Sequence, residues 1–148
     1  MIIPDVNILI HAYDSGFAHH RAAKEWWEEV LTAGHPVGLA WAATLGFMRI
    51  ATHRGVLSKP LPVGDAVNLA RSWLEQPGVR VVVPGDRHGE ILFRLLEEAG
   101  TAGNLTTDAH LAALAIEYRA EIATTDSDFA RFPGLSWSNP ISRKRRRG

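Results

Sequence analysis

Cysteine is absent from the 148 residues, so neither a disulfide framework nor a cysteine-based zinc site can form, and nothing calls for an oxidising compartment. Long apolar runs are missing too. The longest weakly polar stretch, Val37 to Met48, is too short to span a bilayer, and Met1-Ile2-Ile3-Pro4-Asp5 carries no positive charge ahead of its apolar residues. Neither export nor membrane insertion is therefore expected, and the cytoplasm is the expected location. The seven histidines show no HExxH spacing, and no GxxxxGK[ST] or GxGxxG loop is present, which disfavours nucleoside-triphosphate chemistry. No repeat, low-complexity stretch or long linker divides the chain, whose length suits one domain with its own core. The expected partition is one domain over residues 1–141 and a basic tail over 142–148.

Charge is unevenly distributed. Sixteen bases balance sixteen acids, yet five of the bases fall in Arg143-Lys144-Arg145-Arg146-Arg147. Setting these aside leaves 11 bases against 16 acids, a net charge of −5 for the body. Two readings stand. The tail is a solvated end, or it is the basic element of a nucleic-acid enzyme whose acidic site needs metal to accept phosphate.

Short β-type segments alternate with longer helical ones. Met1 to Pro4 reads as a first strand ending at Asp5, with Val6 to Tyr13 turning into a short helix. Helices are expected over His19 to Ala33, Ala43 to Arg54, Val63 to Gln76 and Asp86 to Ala99, and over a further segment ending at Arg119 that Thr106 or Thr107 can cap. Val37 to Ala40 and Ile122 to Thr125 read as strands, and the β-branched run Val79 to Val83 as a buried parallel one. The aromatic Trp26-Trp27 pair, at helical spacing with Ala23, Val30 and Leu31, reads as core or interface. Such alternation predicts an α/β fold, a three-layer α/β/α arrangement with a mostly parallel sheet, in which ligands bind beyond the carboxyl ends of the strands.

Asp5 and Asp126 each follow an expected strand, so the fold carries them to one edge from opposite ends of the sequence. Each has an ordinary structural explanation. Asp5 can cap the helix starting at Val6, Asp108 in Thr106-Thr107-Asp108-Ala109-His110 favours a helix dipole, and Asp126-Ser127-Asp128 is common turn chemistry. Taken together, Asp5, Asp108, Asp126 and Asp128 place carboxylates from three segments on one edge. Oxygen ligands suit Mg²⁺ or Mn²⁺, and such an ion can activate water and neutralise a phosphodiester without any covalent nucleophile. His110, near Asp108, reads as a helix-surface residue more readily than as a metal or phosphate contact, and His19-His20 as exposed or capping residues.

Pro4-Asp5-Val6-Asn7-Ile8-Leu9-Ile10, Gly46-Phe47-Met48-Arg49-Ile50-Ala51-Thr52, Asp108-Ala109-His110-Leu111-Ala112-Ala113 and Thr124-Thr125-Asp126-Ser127-Asp128-Phe129, the last followed by Phe132-Pro133-Gly134-Leu135, occur in an order and spacing that resembles the PIN-domain family. The resemblance is to the VapC-type toxins of prokaryotic toxin–antitoxin pairs and covers nearly the whole chain. It implies a Mg²⁺- or Mn²⁺-dependent endoribonuclease that cuts cellular RNA, is held inactive by a cognate VapB-type antitoxin, and forms a homodimer. By position, Asp5, Asp108 and Asp126 match the family's acidic metal positions, Asp128 matches a more variable one, and Asn7 and Thr125 match neighbouring polar positions. Many relatives carry glutamate directly before the Phe-aliphatic-Arg triplet, where this chain has Gly46. The site then works with the remaining aspartates and with Arg49 to meet phosphate, or the protein is a weakened PIN domain that chiefly binds its partner. Gly46 is expected to leave the metal site short of a ligand, so that metal affinity and ribonuclease activity fall below those of a glutamate-bearing version, and Gly46→Glu is expected to firm the helix, through propensity, as well as the site. A haloacid-dehalogenase-type phosphatase is a further alternative, although that chemistry wants a second aspartate where Asn7 stands. The aromatic content of His19 to Leu31 and Trp41 to Met48 leads to the expectation of an apolar groove for an antitoxin segment, and of self-association.

Overall fold

The computed structural model describes residues 1–57 and 59–142. Five strands, β1 (Ile2–Pro4), β2 (Val37–Ala40), β3 (Val79–Val82), β4 (Glu121–Ala123) and β5 (Ser136–Ser138), form one sheet in the order β3-β2-β1-β4-β5. Every pairing in it is parallel. Two helices separate β1 from β2, α1 (Val6–Tyr13) and α2 (His20–Thr32); α3 (Trp41–Ala51) and α4 (Val63–Leu74) lead from β2 to β3. From β3 the chain returns across the sheet to β4 through α5 (His88–Ala99) and α6 (Thr106–Tyr118). Right-handed crossovers put the first four helices on one face and the last two on the other. The packing agrees, since α1 lies on α2 and α3, α3 on α4, and α5 on α6.

The core follows from the apolar pattern. Phe47 is fully buried, with its ring 4.8 Å from Trp73 and 6.1 Å from Tyr13, while Trp27 meets Trp73 edge-on at 5.8 Å. These ring pairs knit α1, α2, α3 and α4 together. Trp26 is only half-buried. Helix α6 is buried nearly all round through Ala109, Leu111, Ala112, Ala113, Leu114 and Ala115, the pattern of a helix enclosed by other elements.

The structure corrects several sequence expectations. The strand at Val79 lies at the sheet edge, so Val81 and Val83 are exposed where burial was expected. The strand expected over Ile122 to Thr125 is Glu121–Ala123, which leaves Thr124 and Thr125 in the loop beyond it. Neither Thr106 nor Thr107 caps α6; Leu105 holds the N-cap position in helical conformation because a 3₁₀ turn, Gly103–Leu105, runs directly into the helix. His19 likewise makes no side-chain cap bond, and His20 instead places Nδ1 2.8 Å from the His11 carbonyl oxygen. α3 starts at Trp41, straight from β2, and α5 starts at His88. Ser142, counted with the basic tail, closes a helical turn over 140–142, and the rest of that tail, 143–148, lies outside the described residues. Among the described residues no helix is long and apolar enough to cross a membrane.

Phe47→Ala is expected to cost about 3–5 kcal/mol, because the fully buried ring packs against aromatic rings from two other helices, α1 and α4. Chemical denaturation of both proteins measures the loss.

Candidate active site

The register of the β1–β4 pair builds the site. Pro4 pairs with Ala123, and the Asp5 N–H donates to the Ala123 carbonyl at 2.9 Å, so the residues just past the two strands, Asp5 and Thr124, come side by side. Asp5 is 5% exposed and has extended backbone, and its Oδ1 accepts from the Val6 N–H at 2.7 Å, so it caps α1 as its residue type allows. Its Oδ2 accepts from the Thr124 hydroxyl at 2.9 Å. The capping role and the candidate site role therefore fall on the same carboxylate.

Thr124 is fully buried and joins three segments. Its hydroxyl donates to Asp5, accepts from the Asp126 N–H at 3.0 Å, and lies 3.3 Å from Asn7 Oδ1. Asn7 Oδ1 also accepts from the Thr125 N–H at 3.3 Å. Asp126 turns the chain by accepting from the Asp128 N–H at 2.8 Å, which starts a 3₁₀ turn over Ser127–Arg131. Asp128 is exposed.

Asp108 enters from the other direction, in the first turn of α6. Its carboxyl is pushed up to about 7, first by burial and then by the charges of Asp5, Asp126 and Asp128. Asp5 is also raised, mainly by burial and further by Asp126, while the Thr124 and Val6 hydrogen bonds oppose the rise. The four aspartates thus share one field. His110 points elsewhere: its Nδ1 lies 3.0 Å from Nε2 of the buried His88 on α5, and burial together with His88 lowers its pKa. Arg49 is exposed in the last turn of α3.

Sequence reasoning misses Thr124 because it places the end of the strand two residues too far along and so counts Thr124 within it, while Thr125 enters only through the family resemblance. Ending β4 at Ala123 makes Thr124 the first loop residue at the carboxyl edge. His88, hidden at the start of α5, gives no signal beyond its residue type.

Gly46 also differs from expectation. A Cβ built there would sit 2.6 Å from Val6 Cγ2 and 3.4 Å from Val6 Cγ1, so α3 approaches α1 through this glycine. Valine is branched at Cβ and stiff at χ1, which leaves little relief. Gly46→Glu should therefore destabilise the fold by about 1–3 kcal/mol instead of firming it. Thermal unfolding of Gly46→Glu alone and with Val6→Ala checks this, the pair being expected to recover most of the loss.

A largely apolar groove of about 410 Å³ lies between α1, α2 and α4, lined by Leu9, Tyr13, Trp27, Leu31, Leu69 and Trp73 together with the polar His20, Lys24, Glu28 and Ser72. Only its α2 side comes from the segments expected to form it. Trp41 and Leu45, one turn apart on α3, lie outside this lining and are exposed.

The raised Asp108 carboxyl fixes the sign of a pH effect. Below 3.8 it is neutral folded or unfolded and costs nothing; between 3.8 and about 7 the folded state holds the proton more tightly, so stability falls as pH rises through that window. Metal-free protein should lose more stability across the window than its Asp108→Asn variant, as measured by thermal unfolding in chelator.

Comparison with known proteins agrees with the geometry. The PIN-domain profile matches residues 2–135. Ribonuclease VapC33 of Mycobacterium tuberculosis is 48% identical over 141 residues, covering 95% of this chain and 99% of that protein. Ribonuclease VapC37 of the same species is 43% identical over 140 residues, covering 95% and 97%. Among solved structures, VapBC2 from Rickettsia felis bound to a promoter DNA fragment superposes with a TM-score of 0.67 at 17% identity, covering 94% of this chain and 98% of that one, a likeness of fold. This chain belongs to the PIN-domain family, among the VapC ribonucleases.

Proposed function

We propose that this protein is a metal-dependent endoribonuclease toxin that hydrolyses RNA phosphodiester bonds at the Asp5, Asp108, Asp126 and Asp128 cluster. The observation that carries the site assignment is the Thr124 hydroxyl, which holds Asp5 and the Asp126 backbone together at the carboxyl edge while Asp108 faces them in one field. Its ribonuclease relatives support the choice of RNA as substrate.

The residues fit a hard divalent cation. All the donors are carboxylate oxygens, and burial, followed by the charges of Asp5, Asp126 and Asp128, already makes Asp108 hold its proton to about pH 7. Among the described residues no three acidic or histidine side chains are set to clasp an ion directly. Mg²⁺ does not require this, because it keeps several waters and engages one or two carboxylates. Asp5, Asp108 and Asp126 are the groups that would hold Mg²⁺ or Mn²⁺, with Asp128 at the exposed margin. Such an ion would lower the pKa of a water and neutralise phosphodiester charge.

The chain's own part is positioning. Thr124 Oγ1 and the Val6 N–H each fix one oxygen of Asp5, and each oxygen keeps acceptor capacity beyond that bond. Asp126 spends Oδ1 on the Asp128 N–H and keeps Oδ2. Among the described residues no hydrogen bond anchors the Asp108 carboxyl, so it is the group able to take or release a proton as charge builds. Position 7, where a phosphatase of the haloacid dehalogenase type wants aspartate, is an asparagine occupied with Thr124 and Thr125.

The groove between α1, α2 and α4 suits an apolar segment of a VapB-type antitoxin, in keeping with the VapB–VapC complex among its structural neighbours. The exposed Trp41 and Leu45 suit a second copy of the chain.

Cleavage of a mixed RNA pool in Mn²⁺ tests the assignment. Asp5→Asn should reduce the rate by more than about 100-fold, since it removes a ligand. Thr124→Val should cost about 10–100-fold, as for a partner that orients a ligand, while Thr124→Ser keeps most activity. Chelator should abolish cleavage by the parent. Activity in Asp5→Asn equal to the parent's would overturn the site.

A further inference from the structure

Asn7 is the second residue of α1, two places after Asp5, and it is half-buried. Helical side chains lean back toward the N-terminus of their helix, so this amide comes to the edge where Asp5 caps α1. Its oxygen is committed. Oδ1 accepts from the Thr125 N–H at 3.3 Å and lies 3.3 Å from the Thr124 hydroxyl, whose single proton goes to Asp5 at the shorter distance of 2.9 Å. A backbone N–H can only donate, so the end of the Asn7 amide that meets Thr125 is the oxygen. The nitrogen end follows from that assignment. Nδ2 carries two N–H groups, and among the described residues neither meets an acceptor. The side-chain polar atoms that are sealed from solvent without a partner are His11 Nδ1, Trp27 Nε1 and His88 Nδ1, so Asn7 Nδ2 is open.

The chemistry of the site gives this open end a use. Asp5, Asp108, Asp126 and Asp128 are acceptors when ionised, a phosphodiester is an acceptor too, and the Thr124 proton is already spent on Asp5. Like charge and like hydrogen-bonding character both oppose the approach of a strand. A pair of neutral N–H donors offsets this without adding charge, and without competing for a hard cation, which takes oxygen ligands. An N–H that meets an ionised oxygen also makes the stronger, charge-assisted kind of hydrogen bond. Asn7 is held at the right place for it, since Oδ1 rests on the Thr124-Thr125 segment that leads into Asp126, and Thr124 in turn holds Asp5.

We propose that Asn7 contacts the substrate, with Nδ2 donating to a non-bridging oxygen of the RNA phosphodiester at the acidic cluster while Oδ1 holds the loop that carries Asp126. This rests on the ribonuclease reading above. Contact with phosphate carries no sequence information, so Asn7 adds affinity and leaves the choice of cleavage sequence to other groups.

Asn7→Asp separates the two ends of the side chain, because it keeps an oxygen for the Thr125 N–H and removes both donors. Asn7→Ala removes everything. Anisotropy of a labelled single-stranded RNA of mixed sequence is measured for the full-length parent and both variants in chelator, where cleavage is expected to stop, with thermal unfolding to check that each protein is folded. Both variants are expected to bind about 10–100-fold more weakly, the loss that goes with one hydrogen bond to a charged group, and kcat/KM for cleavage in Mn²⁺ is expected to fall by a similar factor. The Asn7→Asp deficit should persist as salt is raised, since screening relieves repulsion by the added charge but restores no donor. Binding by Asn7→Asp equal to the parent's would overturn the proposal and leave Asn7 holding only the loop. A deficit that salt removes, parent-like binding by Asn7→Ala, or no binding by the parent itself would overturn it as well. Failure of the ribonuclease reading is read separately, as cleavage in Mn²⁺ that survives Asp5→Asn in the otherwise unaltered chain.

Discussion

A carboxylate buried at the end of a strand has to be satisfied by the chain or give up its charge, and Asp5 is in that position. The Thr124 hydroxyl answers the demand, and it can do so only because β1 and β4 are parallel neighbours with Pro4 opposite Ala123. A slip of one residue in that register would turn Thr124 to the other face of the sheet and leave Asp5 buried without this donor. The same hydroxyl accepts from Asp126 and so sets where the acidic turn begins. One side-chain hydroxyl therefore couples sheet register, the carboxylate that caps α1 and the position of a second carboxylate.

Asp108 shows the cost of this convergence. α6 is enclosed through its alanines and leucines, so its first turn cannot swing away from the edge, and the Asp108 carboxyl is held in the field of three others. A carboxyl pushed to about 7 is a destabilising element in a metal-free protein near neutral pH. On the proposed function, a cation held there would offset the part of the rise that comes from Asp5, Asp126 and Asp128, while the larger part due to burial stays with the fold.

The sequence showed the α/β alternation, the parallel sheet and helices α1 to α6 among the described residues, because apolar periodicity marks them and glycine stops close several of them. It also showed that Asp5 and Asp126 would meet, since both stand where strands end. What stayed hidden depends on three-dimensional neighbours. β5, Ser136–Ser138, is three residues long with a single large apolar side chain, too little for a pattern. The exposure of Val81 and Val83 follows from sheet order, which β-branched composition does not encode. Thr124 looked no different from Thr125 until the end of β4 was placed, and the His88–His110 pair joins two helices whose packing no local signal reports. The apolar groove draws on Leu69 and Trp73 of α4, a helix outside the two segments expected to form it.

Gly46 bears on how the site is balanced. A side chain at this position would start against Val6, the residue that follows Asp5 and donates to it, so the missing carboxylate here is tied to the close approach of α3 and α1. Restoring glutamate would require those helices to part by a few tenths of an ångström or more, next to the strand end that positions Asp5. It would also add a negative charge close to a cluster in which Asp108 already holds its proton to about pH 7. Both effects oppose the metal-free fold, one through packing and one through repulsion. On the proposed function, a site with fewer fixed charges would draw its cation less strongly, yet it would leave the metal-free fold with less repulsion to overcome. The tight approach of Gly46 to Val6 makes that balance part of the core.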